Sequence, residues 1–460
     1  MPSQPAMNQS GKSRTASAFA LCSGLFLAVS LLKFGNPAIL EHAVQMAQLG
    51  GQPPPANVGL AEILIGRNTK GPADIYELLF QAWPIHWGYW MIGALACLGV
   101  CAARWRLPKP AWLAATPLIW LVWLFVSAVD TIDPVLTRLT MVHLTAVVLC
   151  YCLGLFVLSK VETIRLFWTP ILLGFLLMIY IGFEQHFGGL EATRRFIYSQ
   201  PGWENLSPEY LKRLASNRIF ATMIYPNALA GALLLLLPAM TIAAWQIAHF
   251  LTKPTRLVLA GLVLIVGLAC LFWSGSKAGW LFALVQGVVL LLGTRLQKRW
   301  KIMVVAAVVF VGLIVFAFRF SEYFQKGAPS ASARIEYWRV AVRVFLDHPI
   351  TGTGPGTFKT NYQRLKPREA EMARLTHNDY LQQACDSGLP GAMAYAVFIW
   401  GTLHRCRRIS LSDKMSHAVW LGLLGWSLQG LTEFGLYVPA SSWTAFFLFG
   451  WLMGKSESTE

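Results

Sequence analysis

Apolar stretches long enough to cross a bilayer recur along the whole chain, at about 17 to 34, 84 to 103, 111 to 129, 135 to 159, 166 to 184, 219 to 249, 256 to 273, 277 to 294, 302 to 320, 388 to 404, 417 to 433 and 440 to 454. A hydrocarbon core takes about 20 apolar residues per crossing, so the pattern gives about twelve spans. With 55% hydrophobic and only 13% charged residues, the chain cannot be a cytosolic enzyme. The expected class is an all-α polytopic membrane protein. Nineteen Trp fit it, because indole rings gather where membrane meets water.

The net charge of +16 sorts by loop. Lys12 and Arg14, then Arg104, Arg106 and Lys109, Lys160 and Arg165, Lys253 and Arg256, Arg295, Lys298, Arg299 and Lys301, Arg405, Arg407, Arg408 and Lys414, and finally Lys455 fall on the same side of successive spans. Only Glu162 and Asp413 dilute them. By the positive-inside rule this side and both termini are cytoplasmic, and the basic excess reflects topology, with no nucleic-acid partner implied. No small-residue cleavage site follows the first apolar run, which reads as an uncleaved span. Cys22, Cys97, Cys101, Cys150, Cys152 and Cys270 lie in apolar runs, without zinc or disulfide spacing.

Three long segments occupy the opposite face: Gly35 to Trp83, Gln185 to Asn217, and Ser321 to about Gly388. The first carries Pro53-Pro54-Pro55 and an interfacial helix from Leu60, and is either a lid or, more simply, a spacer. In the third, Trp338, Val342 and Phe345, with Ile335 and Leu346, recur at helical spacing from Arg334 to Asp347, while Arg339 and Arg343 form another stripe. A folded helical external loop subdomain over 321–388 is expected. The chain then divides into N-terminal membrane helices over 1–254, a core over 255–400 and C-terminal membrane helices over 401–460.

The residues able to do chemistry collect on that external face. The helix from Arg334 stops at His348-Pro349 and runs into Thr351-Gly352-Thr353-Gly354-Pro355-Gly356, where glycines at alternate positions make either an anion-binding nest or plain tight turns. His377, in Thr376-His377-Asn378-Asp379-Tyr380, can take a proton near neutral pH, and Asp379 is a carboxylate near enough in sequence to orient it. Arg218, Lys277 and Glu433 each stand at an external membrane boundary, where single charges ordinarily snorkel. Their convergence with Arg334 and His377 suits a diphosphate leaving group and a hydroxyl nucleophile. Asp130 and Asp133 have no metal-site spacing and read as turn caps.

Several of these residues also occur in a familiar order. Arg334-Ile335-Glu336-Tyr337-Trp338, His348-Pro349-Ile350-Thr351-Gly352-Thr353-Gly354, His377-Asn378-Asp379-Tyr380-Leu381-Gln382 and Gly388-Leu389-Pro390-Gly391 resemble the O-antigen ligase and O-antigen polymerase superfamily. The resemblance is specific from about Arg256 to Trp400, with Arg218, Tyr225-Pro226-Asn227 and Glu433-Phe434 as further elements. It implies a bacterial inner-membrane glycosyltransferase. The donor would be an undecaprenyl-diphosphate-linked glycan, used on the periplasmic face. The acceptor would be lipid A core sugar in a ligase, another glycan in a polymerase of O-antigen or exopolysaccharide, or a protein hydroxyl in the related oligosaccharyltransferases.

By the same resemblance His377 is the general base and Arg334 binds the donor diphosphate, with Lys277, Arg218, Arg339, Asp379 and Glu433 completing the substrate-binding set. Ser276-Lys277-Ala278 stands where the family usually has Ser-Arg, so either the diphosphate contact is weaker here or Arg218 supplies the bidentate fork. The scheme inverts the anomeric carbon and requires neither metal nor cofactor. A secondary transporter is the competing class, but it would place its charges near the bilayer midplane.

Overall fold

The computed structural model describes residues 4–38, 78, 82–103, 105–162, 164–199, 203–205, 211, 215–325, 327–411 and 413–456. The Pro53-Pro54-Pro55 run and the helix expected from Leu60 lie outside the described residues, among which there is no strand. The first helices are α1 (Gln4–Lys33), α2 (Ile85–Val100), α3 (Ala111–Ser127), α4 (Pro134–Phe156), α5 (Arg165–Glu184) and α6 (Leu190–Ser199). Next come α7 (Pro226–Ile247), α8 (Lys253–Trp273), α9 (Lys277–Leu292), α10 (Lys298–Arg319), α11 (Ser321–Gln325) and α12 (Pro329–Asp347). The chain closes with α13 (Phe358–Leu365), α14 (Asp379–Ala396), α15 (Thr402–Ser410), α16 (Lys414–Gln429) and α17 (Pro439–Lys455).

Among the described residues six helical stretches are long and apolar enough to cross a membrane: Arg14–Lys33, Pro134–Lys160, Arg165–Ser199, Pro226–Ile247, Lys253–Trp273 and Lys298–Arg319. Helices α2, α3 and α9 are apolar but shorter. Helix α17 is apolar on every side and buried from Pro439 to Gly454, which makes it the axis of the bundle. It lies directly on α4, where a Cβ at Gly154 would land on the Phe447 carbonyl and one at Gly450 on that of Tyr151. Small residues at such crossings let backbones touch, which is how helices associate when lipid removes the hydrophobic drive. Helix α10 is the opposite case, with no buried residue and Phe310, Val311 and Phe318 all turned outward, the surface that lipid solvates.

The bundle has two distinct ends. At one, the loop before α4 bonds the 321–388 segment through Ile132 N–H to the Thr353 carbonyl (3.1 Å), and Ile219 N–H reaches the carbonyl of Trp273 at the end of α8 (3.4 Å). At the other, Arg405 lies on the Lys109 carbonyl (3.4 Å) and Lys160 on that of Gly454 (3.4 Å). The segment over 321–388 has a small core of its own, Tyr337, Val340, Ala341, Val344, Phe358, Tyr362, Ala373 and Cys385. Helix α12 therefore forms over Arg334–Asp347 as its spacing suggests, yet it buries a different stripe. Ile335, Val342 and Leu346 are exposed, because Phe358 and Tyr362 of α13 and Cys385 of α14 select the neighbouring face.

Candidate active site

The site is built around Glu433. It lies in the turn after α16, its own N–H bonded to the Gln429 carbonyl (2.9 Å), and is only 6% exposed. A carboxylate so buried has to be paired. Its Oε1 meets the guanidinium of Arg334 and the Nδ2 of Asn227 (2.6 Å), and its Oε2 meets the Nδ1 of His377 (3.2 Å). Burial pushes the Glu433 carboxyl up, but Arg334 first, then His377 and Arg218, outweigh it and hold the group below its ordinary value.

An ionised carboxylate can only accept, so His377 must carry a proton on Nδ1, which in the neutral ring leaves the lone pair on Nε2. The residue adopts φ +52°, a left-handed conformation that His tolerates better than most side chains. The turn is fixed on both sides. Thr376 N–H bonds Gln382 Oε1 (2.9 Å), and Asn378 caps α14 by accepting from the N–H groups of Tyr380 and Leu381 (3.0 Å each). The imidazole packs against Phe434 (4.8 Å between centroids) and Tyr337 (5.7 Å) and remains partly exposed.

Arg334 projects from α12, which Trp338 pins to the same turn by donating to the Thr376 carbonyl (3.1 Å). Its Nε is buried without a hydrogen-bond partner among the described residues, a donor left unspent. Arg218 crosses from the loop before α7, donating through Nε to the Ser274 carbonyl (2.7 Å) and through Nη2 to Asn227 Oδ1 (2.7 Å). Lys277 opens α9 behind its cap Ser276. A cation at a helix N-terminus opposes the helix dipole. Here the faces of Tyr323 (3.9 Å to the centroid) and Phe320 (5.0 Å) offset that.

Arg319, over the ring of Phe272 (5.2 Å), joins Arg218, Lys277 and Arg334 closely enough for their charges to oppose one another. The sequence reading missed Arg319. Its signal was slight: a single Arg closing the apolar window over 302–320.

Two members of the expected set stand elsewhere. Arg339 is exposed and paired with Glu336 (3.2 Å), on the outer side of α12. Asp379 turns away from His377, accepting from Leu436 N–H (3.1 Å) while its own N–H bonds the Gly430 carbonyl (2.7 Å); burial raises its carboxyl well above the ordinary range. The carboxylate that meets the histidine is thus Glu433, far away in sequence.

The glycine run resolves as a clamp. Gly352, Gly354 and Gly356 have φ of +66°, +101° and +81°. The N–H of Gly352 bonds the His348 carbonyl (3.1 Å), those of Thr353 and Gly354 bond the carbonyls of Cys385 and Asp386 (3.0 Å each), and that of Gly356 bonds the Asp386 carboxylate (2.9 Å). With these amides engaged, the loop fastens α12 and α13 to α14. It is not an anion nest. Asp133 caps α4, accepting from Leu136 N–H (3.1 Å) and from the Thr360 hydroxyl (3.0 Å). Among the described residues no group of three or more His, Cys, Asp or Glu could hold a metal ion.

Residues 260–396 match a family model described as O-antigen ligase. That match supports placing the chain with the O-antigen ligase and polymerase superfamily. The matched stretch runs from α8 to the end of α14, so it contains Lys277, Arg319, Arg334 and His377. Arg218, Asn227 and Glu433 lie outside it. The comparison with curated proteins found no match. The matched family is generally of the glycosyltransferase-like ligase and polymerase type and implies glycan and lipid-linked substrates in a membrane environment.

Proposed function

We propose that the protein transfers a glycan from an undecaprenyl-diphosphate carrier to a hydroxyl acceptor, with inversion, on the periplasmic face of the bacterial inner membrane. The observation that carries the reading is the pairing of a histidine whose Nε2 is available with a group of cations at one end of a helical bundle. His377 Nε2 takes the acceptor proton. Arg334 and Arg218, with Lys277 and Arg319 beside them, stabilise the charge that grows on the diphosphate as the glycosyl bond breaks. Such donors, placed in advance, favour the transition state over the bound substrate. One base acting on the face opposite the leaving group gives inversion.

The lipid tail requires a bilayer, and the twelve apolar windows, read as about twelve spans with both termini cytoplasmic, supply the scaffold. The chain then divides into membrane helices over 1–254, the ligase-like core over 255–400 and closing helices over 401–460. The excess of cations over carboxylates at the site favours this reading over a transporter with charges at the midplane. Acceptors for the proposed activity are lipid A core sugar, a second lipid-linked glycan or a protein hydroxyl. The test is turnover of a purified lipid-linked glycan offered each acceptor in turn, in EDTA. Transfer to one of them is the expected outcome; release of the donor chain by none, or only with added magnesium or manganese, sinks the scheme.

A further inference from the structure

We propose that Glu433 is a positioning residue through which donor binding at Arg334 prepares His377 to act as the base. The inference deepens the function proposed above and rests on it. Glu433 divides its two oxygens between the halves of the reaction. Oε1 faces Arg334 and Asn227 Nδ2 (2.6 Å), and Asn227 Oδ1 accepts in turn from Arg218 (2.7 Å). Oε2 accepts from His377 Nδ1 (3.2 Å). One buried carboxylate is therefore held by the donor-side cations on one side and by the base on the other.

A diphosphate competes with Glu433 for Arg334. It carries more charge than a single carboxylate oxygen and can accept from a guanidinium through two parallel bonds. Arg334 Nε is buried and unpartnered among the described residues, so a phosphate oxygen can use a donor that Glu433 does not. As the guanidinium turns to the phosphate, Oε1 keeps Asn227 and the carboxylate charge falls more fully on His377 Nδ1–H. That strengthens the bond holding the ring and its tautomer, and makes Nε2 a better proton acceptor. Only hydrogen bonds are exchanged in this step. Its consequence is order: the acceptor hydroxyl meets a fully engaged base only once the diphosphate is seated.

The exchange has a signature that a merely structural acid lacks, namely opposite effects on binding and on rate. Inorganic pyrophosphate is the probe, with turnover of the lipid-linked glycan measured alongside on the full chain in detergent. Glu433→Gln should bind pyrophosphate several-fold more tightly, because Arg334 loses a competitor, while turnover falls on the order of 10²-fold as the base loses its orientation. Glu433→Asp keeps the charge and should move both quantities in the same directions, which preserves the test if the Gln variant fails to fold.

In an Arg334→Ala background, Glu433→Gln should leave pyrophosphate affinity unchanged. If tightening persisted there, Glu433 would be acting by simple repulsion and the exchange would be overturned. Weaker or unchanged binding in both Glu433 variants, with Arg334-dependent binding intact in the wild type, sinks the coupling alone. Absence of Arg334-dependent pyrophosphate binding in the wild type sinks the diphosphate role of Arg334 as well.

Discussion

His377 and Glu433, 56 residues apart in the chain, meet at 3.2 Å between Nδ1 and Oε2. The contact fixes the imidazole tautomer, since the carboxylate accepts and cannot donate. It also depends on two helix ends being brought together, because His377 precedes α14 and Glu433 follows α16. The link is made by the backbone: Asp379 N–H bonds the carbonyl of Gly430 (2.7 Å), so the start of one helix is tied to the turn after the other.

If His377 is the base, His377→Ala should leave the protein folded and able to bind donor while turnover falls roughly 10²- to 10⁴-fold, the usual share of general-base catalysis. Raising the pH should not restore the rate, because a sugar hydroxyl ionises far too weakly without a local base. Turnover at saturating donor and acceptor decides the matter. A rate near wild type would reduce His377 to a residue that shapes the start of α14.

Arg334 makes a different prediction. Arg334→Ala should weaken donor binding and, by leaving Glu433 buried with one cation fewer, lower the melting temperature as well. Arg334→Lys should recover only part of the binding, since a point charge cannot replace the planar fork. Equal donor affinity in all three proteins, measured by competition with pyrophosphate, would remove Arg334 from the donor site.

The pH dependence of stability follows from Glu433. Its carboxyl lies below the ordinary 4.5 in the folded protein, so it adds stability that is fully present above that pH and is lost as the pH falls through the folded value. Asp379, pushed up by burial, acts in the opposite sense, so only variants that retain it should be compared. The melting temperature of the wild type should drop more steeply below pH 4.5 than that of Glu433→Gln. Parallel curves would mean that the pairing around Glu433 contributes nothing to the fold.

Much of the helical arrangement was legible in the sequence because helix signals are local. The apolar windows, the helix from Arg334 and the stop at His348-Pro349 rest on spacing and on proline chemistry within a few residues. Partners across the fold were not legible. Asp379 was the natural guess for the histidine's carboxylate because it is two residues away, yet the α14 cap turns it towards Leu436, and Glu433 takes the place. Asn227 joins Arg218 to Glu433 from the start of α7, and only the packing of α7 against α16 reveals it. The stripe buried on α12 was likewise decided by α13 and α14, since both stripes are apolar.

Orientation across the membrane can be tested without activity. Lys277→Cys should react with an impermeant thiol reagent from the periplasmic side, whereas Arg299→Cys and Arg408→Cys should not, because their basic loops read as cytoplasmic. Cys22, Cys97 and Cys101 are exposed thiols, so the background must first have them replaced. Labelling at 299 but not at 277 would reverse the protein and put the cations on the wrong side for a periplasmic donor.

The glycine clamp gives the last prediction. Gly356 has φ +81°, and a Cβ there would run into the hydroxyl of Thr140 on α4, so Gly356→Ala meets both backbone strain and a clash. Strain of this kind costs about 1–3 kcal/mol. The substitution should also weaken the bond from Gly356 N–H to the Asp386 carboxylate (2.9 Å), which Gln382 Nε2 (2.9 Å) and the Tyr437 hydroxyl (3.1 Å) share. Gln382 in turn holds the Thr376 amide next to His377, so the damage should spread to the base through α14. The expected result is a lower melting temperature and a lower rate, with pyrophosphate affinity retained, because the amides of the loop are already bonded within the protein. A variant as stable as the wild type that no longer binds pyrophosphate would instead make the loop a phosphate-binding nest, and the diphosphate site would have to be moved from Arg334 and Arg218 to the glycines.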